Sequence, residues 1–239
     1  MKTFRVWVGV CVAMLAATSA SALTTVYDNA NPSGEMDLYE IYNAIYGTSF
    51  TASSGAGGMD ALQVTENGVF SLAASAASVY YVARYAAHDQ RFGYYTNPGS
   101  PTGDYTVSGG GTSGDFNHLF DIFTNGVLIL DNSGPSGTIN SSPFGFYLNS
   151  PAGGADIWFS ETGLNWGVQD HFVMYNAVDS NGNIIANRFL IAWEDLALGD
   201  ADYNDLVLEI TFNPIPEPST MVLILMGIGG VAMRRRFSA

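Results

Sequence analysis

Six oxygen-bearing residues on one short turn, Glu194, Asp195, Asp200, Asp202, Asn204 and Asp205, are the densest chemistry in this 239-residue chain. Carboxylates this close repel one another, so a folded protein keeps them together where water screens them or a cation neutralises them. Oxygen donors on a turn suit calcium, a hard cation that takes about six to eight such ligands. Asp200, Asp202 and Asp205 are the core ligands in this reading, with Asn204, Glu194 and Asp195 in support. Asp200, Asp202 and Asn204 alternate as the first ligands of a helix-loop-helix calcium site do. That comparison ends at Asp205, which stands where such a loop requires glycine, and at Thr211, where it requires glutamate. The expected site is a shorter loop. The competing reading is that these acids solvate a turn and accept backbone amides.

Other chemistry is sparse. His88, His118 and His171 are scattered, without zinc-ligand spacing or a nucleophile-elbow motif beside them. Glu194 with a second acid could form a glycosidase pair, but any acid-rich chain offers such pairs, and the chain is expected to be non-catalytic. Gly109, Gly111 and Gly114 have dinucleotide-fingerprint spacing, yet no strand leads into them and flexible Gly-Ser stretches produce the pattern by chance.

The acidic turn needs strands to hold it. Arg188 to Trp193 precedes it and Leu206 to Phe212 follows, both rich in β-branched, aromatic and aliphatic residues. Similar short runs occur at Val79 to Val82, Phe92 to Thr96, Gly126 to Leu130, Phe144 to Leu148, Ile157 to Phe159 and Phe172 to Tyr175. Asp179-Ser180-Asn181-Gly182-Asn183 is a hairpin signal before the strand that starts at Ile184, and Asn67-Gly68 is another between Leu62–Val64 and Val69–Leu72. Many short strands at this spacing indicate a mainly β fold, an antiparallel β-sandwich of jelly-roll-like character. One short helix precedes it. Leu38, Ile41, Tyr42 and Ile45 recur at helical steps, with Ser33 as cap and Gly47 to close the last turn. Tyr39, Tyr42 and Tyr46 on that helix read as a packing face rather than a sugar platform. Thr48 to Gly58 reads as a Ser-Gly-Ala spacer, and Asn97 to Asp115 as turns.

Lys2 and Arg5 before an apolar run, then Ala20-Ser21-Ala22, have the layout of a secretory signal peptide over 1–22. The single cysteine, Cys11, lies inside it, so the body from Leu23 has no disulfide and no thiolate metal site. Residues 23–58 carry the helix and spacer, 59–213 the sandwich, and 214–239 a tail. Every acid except Glu217, and only Arg84, Arg91 and Arg188 among the bases, fall in the body. That imbalance excludes nucleic acid and anionic lipid as partners, and it also serves solubility.

Pro216-Glu217-Pro218, the apolar run Met221 to Met233 and Arg234-Arg235-Arg236 follow one another in the tail. A helix over that run is about 20 Å long, short of the roughly 30 Å hydrocarbon core without help from its flanks. The order resembles the PEP-CTERM sorting signal, also filed as an ice-binding protein C-terminal domain. The resemblance implies a protein exported through the inner membrane of a Gram-negative bacterium that makes extracellular polysaccharide. Such a protein is held by its 221–233 helix, processed by an exosortase near Pro216 to Pro218, and delivered to the cell surface or matrix. The body, through Phe144 to Leu148, Trp193 to Leu196 and Gly199 to Leu206, resembles a domain-of-unknown-function family of secreted bacterial proteins. That resemblance implies a β-sandwich with calcium binding and supplies no reaction. Exopolysaccharide binding beside a calcium is the alternative function, because exposed Tyr and Trp stack on sugars.

Overall fold

The computed structural model describes residues 23–28, 34–65, 68–71, 76–86, 88–105, 112–150, 156–196, 198 and 200–213. The signal-peptide region, Ser33, Asn67, Gly109, Gly111, Ala197, Gly199 and the tail with Pro216, Glu217 and Pro218 lie outside these residues. Among the described residues no helix is long and apolar enough to cross a membrane.

One helix, α1 (Leu38–Tyr46), precedes ten strands: β1 (Ala76–Ala83), β2 (Gln90–Thr96), β3 (Thr112–Ser113), β4 (Phe116–Ile122), β5 (Ser136–Ile139), β6 (Phe144–Ser150), β7 (Asp156–Phe159), β8 (Phe172–Val178), β9 (Ile184–Trp193) and β10 (Leu206–Asn213). They form two five-stranded sheets, ordered β5-β1-β10-β9-β8 and β3-β4-β2-β6-β7, with antiparallel pairing between neighbours. Alternate residues of the facing strands meet in one apolar core. Val79, Ile191, Trp193, Leu206 and Leu208 come from the first sheet and Phe92, Phe120, Phe146 and Leu148 from the second. Phe92 sits 5.4 Å from Phe146 and 6.1 Å from Trp193 between ring centroids, and Phe172 lies 5.0 Å from Trp193. Each such pair adds about 0.5–1.5 kcal/mol beyond the apolar area it buries. The packing is sandwich-like.

The first sheet is covered on its other face as well, which is why β8, β9 and β10 read as nearly unbroken apolar runs. Val173, Tyr175, Leu190, Ala192 and Val207 there meet Leu38, Ile41, Tyr42 and Tyr46 of α1. Tyr42 and Tyr46 are thus a packing face. Asp37, not Ser33, is the N-cap, and its backbone N–H donates to Glu40 at 3.0 Å in a reciprocal capping box. Gly47 closes the helix at φ 68°, a left-handed conformation that glycine adopts without strain.

Several local expectations change. Thr48–Gly58 is not a spacer: Thr51 donates to the Gly57 carbonyl, Met59 to Ser53, and Ser53 is buried. Small residues fold here because their backbone groups find partners within the loop. The Leu62–Leu72 hairpin does not form, since Gln63 bridges to Tyr175 in one sheet and Phe70 to Phe144 in the other. Gly126–Leu130 is no buried strand. It runs as a loop with Val127 and Leu130 exposed, while the strand lies at Phe116–Ile122, whose alternate residues Phe116, His118, Phe120 and Ile122 are buried. The turn at Asp179–Asn183 forms as expected, with Gly182 at φ 80° and the Asp179 N–H donating to Asn183.

Candidate metal centre

β9 and β10 pair with Leu206 opposite Trp193, so the chain between them, 194–205, is held at both ends by this ladder of the first sheet. Glu194 extends the β8–β9 pairing by one step. Its N–H donates to the His171 carbonyl at 3.1 Å, and His171 Nδ1 bonds its carbonyl at 2.9 Å. The His171 ring stacks on Trp158 with centroids 3.6 Å apart, and burial lowers its pKa, leaving a neutral imidazole whose Nδ1–H donates. Asp195 then turns toward the second sheet. Gln90 Nε2 of β2 donates to its Oδ2 at 2.8 Å, Ser150 Oγ of β6 lies 3.2 Å from the same oxygen, and Trp158 Nε1 of β7 donates to its carbonyl at 2.7 Å. Asp195 therefore ties the two sheets together through polar contacts.

The second half of the turn is held in an unusual backbone. Ala201 at φ 51° and Tyr203 at φ 56° are non-glycine residues in the left-handed region, alternating with Asp200, Asp202 and Asn204. Such residues cost of order 1 kcal/mol or more and persist where surrounding contacts impose them. The contacts are specific: Tyr27 N–H donates to the Ala201 carbonyl at 3.0 Å, and the Tyr203 hydroxyl donates to the Asp170 carbonyl at 2.5 Å. Asn204 Nδ2 donates to the Met36 carbonyl at 3.1 Å, and Asn204 N–H to Asp202 Oδ1 at 3.2 Å. Asn204 is thus engaged as a strut between the turn and the segment before α1.

Two sets of carboxylates converge. Glu194, Asp195 and Asp205 form one, Glu194, Asp200 and Asp202 the other, each with ligand oxygens within 4.8 Å of one another. Glu194, a supporting member in the sequence reading, is the vertex common to both. Glu194, Asp195 and Asp202 are buried, and Asp200 is exposed. Burial pushes the Glu194 carboxyl up to about 7, with Asp200, Asp202 and Asp195 adding to the rise. Burial first, then the charges of Asp195 and Glu194, hold the Asp205 carboxyl still further above the carboxylate range. The arginines of the body are engaged elsewhere: Arg188 pairs with Glu209 at 2.8 Å, Arg91 lies 3.8 Å from Asp121, and Arg84 donates to the carbonyls of Thr124 and His88. A proton or a bound cation would neutralise such a cluster.

Gln90, Ser150, Trp158 and His171 frame the centre but were not legible as its members. They stand 105, 45, 37 and 23 residues from their partners in the turn, and no local pattern marks them. His118 lies elsewhere, 3.1 Å from Asp121.

No curated protein and no solved structure matches the chain. Residues 125–213, which include β5 to β10 and the whole acidic turn, match a domain of unknown function (DUF4114), and residues 214–236 match the PEP-CTERM protein-sorting motif. The body is thus similar to DUF4114 over its second half, and the PEP-CTERM motif at the C-terminus supports an exported, exosortase-sorted protein.

Proposed function

We propose that the chain is a non-catalytic cell-surface or extracellular-matrix protein of a Gram-negative bacterium whose β domain is stabilised by calcium bound at the 194–205 turn. One observation carries the reading: carboxylates converge on Glu194 from both halves of the turn, with Glu194, Asp195 and Asp202 buried. Removing charged groups from water is costly, and a divalent cation with oxygen ligands offsets that cost where no base is present. Before sorting, the 221–233 run holds the protein at the inner membrane, and the exosortase acts at Pro216 to Pro218. The test is thermal melting of the metal-stripped chain at increasing calcium. A rise in Tm that Glu194→Gln abolishes is expected, and no rise at millimolar calcium would overturn the reading.

Calcium-dependent exopolysaccharide binding is the second reading, favoured by Trp166. This indole is 80% exposed, on a loop latched by buried Asn165. Asn165 Nδ2 donates to the Phe159 and Gln169 carbonyls, each at 2.9 Å, and its Oδ1 accepts the Phe159 N–H at 2.7 Å. Val168 beside it sits at φ 56°, where a β-branched residue is strained. The loop then leads through Asp170 to His171 and Glu194. A rigidly presented indole is suited to stacking on sugar rings. Pull-down on exopolysaccharide, with calcium and with chelator, tests this; equal retention by wild type and Trp166→Ala would sink it.

A further inference from the structure

The acids of the turn divide into two groups rather than one shell. Calcium–oxygen distances of about 2.3–2.6 Å place two ligands of one ion no more than about 5 Å apart. Both groups meet that limit, and they share only Glu194. Asp200, which is exposed, and Asp202, which is buried, come from the outer half of the turn, Asp195 and Asp205 from its root against the sheets.

Independent of the acids, Gln90 brings to the root a buried acceptor without a donor. Gln90 is fully buried, and its Nε2 is spent on Asp195 Oδ2 at 2.8 Å. That bond places the other end of the same amide beside the carboxylate, and this Oε1 has no hydrogen-bond partner. Glu194 Oε2, on a side chain 2% exposed, has none either. A buried acceptor left unmade costs about 1–3 kcal/mol, more for a charged group. Two such oxygens, one in the Glu194 carboxylate and one on the amide that holds Asp195, call for a positive centre among them. Charge agrees: with all five carboxyls ionised, a single dication would keep about three negative charges in a partly buried site, whereas two dications leave about one.

Building on the calcium reading above, we propose that the turn holds two divalent cations bridged by Glu194. The outer ion lies among Glu194, Asp200 and Asp202. The inner ion lies among Glu194, Asp195 and Asp205, with Gln90 Oε1 as a neutral ligand supplied by the opposite sheet. The inner ion thereby joins β9 and β10 to β2, and the turn becomes a cation-dependent clasp between the sheets.

Calcium stoichiometry of the full-length, chelator-stripped chain, measured by calorimetry and by equilibrium dialysis with radiocalcium, tests this. Two equivalents are expected for wild type. Asp200→Asn is expected to keep one equivalent. Gln90→Ala, which removes no charge, is expected to retain the outer ion and weaken the second binding step at least tenfold. One equivalent in wild type, or an unchanged second step in Gln90→Ala, overturns the two-ion site while leaving the single-calcium reading intact. No binding at all overturns both.

Discussion

Asp205 Oδ2 accepts the backbone N–H of Asp195 at 2.7 Å, closing the acidic turn at its root. The acid that ends the turn is thereby fixed against the one that begins it. Two carboxylates are pressed together by a backbone bond, and their repulsion is relieved only by something positive. The first prediction tests this directly. In chelator at pH 8, Asp205→Asn is expected to be more stable than wild type, because an amide keeps the acceptor oxygen and need not take up a proton on folding. Each kcal/mol of repulsion removed raises Tm by roughly 2–4 °C at this chain length. In calcium the order is expected to invert, with wild type gaining more. Melting curves of both proteins in both conditions check it, and the same order in each would contradict a cation site.

Stability should fall as pH rises in the metal-free protein, and calcium should offset that fall. Glu194 is raised from 4.5 to about 7 by burial, so its contribution to folding is fully present below about 4.5 and is lost as pH rises through about 7. Asp205, held higher, extends the loss to alkaline pH. Metal-free protein is therefore expected to melt at progressively lower temperature from pH 5 to pH 8. Calcium must displace these protons, so its affinity is expected to rise up to ~tenfold per pH unit for each proton displaced. Calorimetry at several pH values reads both effects.

Tyr46 donates its hydroxyl to Glu209 at 2.9 Å, and Arg188 reaches the same carboxylate at 2.8 Å. Glu209 sits 2% exposed on central strand β10, between the sheet and α1. Tyr46→Phe leaves a buried charge short of a donor and is expected to cost about 1.5–3 kcal/mol, measured by urea unfolding with and without calcium. The loss should be the same in both, because this contact lies on the outer face of the sheet.

Trp193 and Trp166 should behave as opposites. Trp193 is fully buried between the sheets, and Trp193→Ala is expected to cost about 3–5 kcal/mol. Trp166→Ala removes an exposed ring and is expected to leave stability within about 0.5 kcal/mol while reducing exopolysaccharide retention. Unfolding curves and the pull-down separate the two roles.

For the tail, Glu217→Ala within Pro216-Glu217-Pro218 is expected to permit export but block exosortase processing. The full-length chain should then accumulate in the membrane fraction, read by immunoblot of fractionated cells.

Much of this protein is local in origin. The sorting tail is an ordered string of residue types, which is why it can be read without a fold. The β9–turn–β10 unit is equally local, since two apolar runs flank the acids and the Asn181-Gly182 turn defines the preceding hairpin. Where a segment's state depends on a distant partner, local reading fails. Gly126–Leu130 is apolar enough for a strand, but β5 takes the place beside β1, and the 126–130 loop meets the end of β1 through Ile129 to Val82 and Tyr81 to Val127 without joining the sheet. Phe116–Ile122 is punctuated by His118 and Asp121, yet its alternate residues face the core and it forms the strand.

By itself, then, the sequence determined the sorting motif, the mainly β class and the six residues of the acidic turn, because each is written in neighbouring residues. Tertiary structure alone decided that Glu194 is the vertex of that turn, and that Gln90, Ser150, Trp158 and His171 enclose it. Sheet packing brings those side chains in from elsewhere in the chain, and only burial behind them turns a run of acids into a site that needs a positive charge.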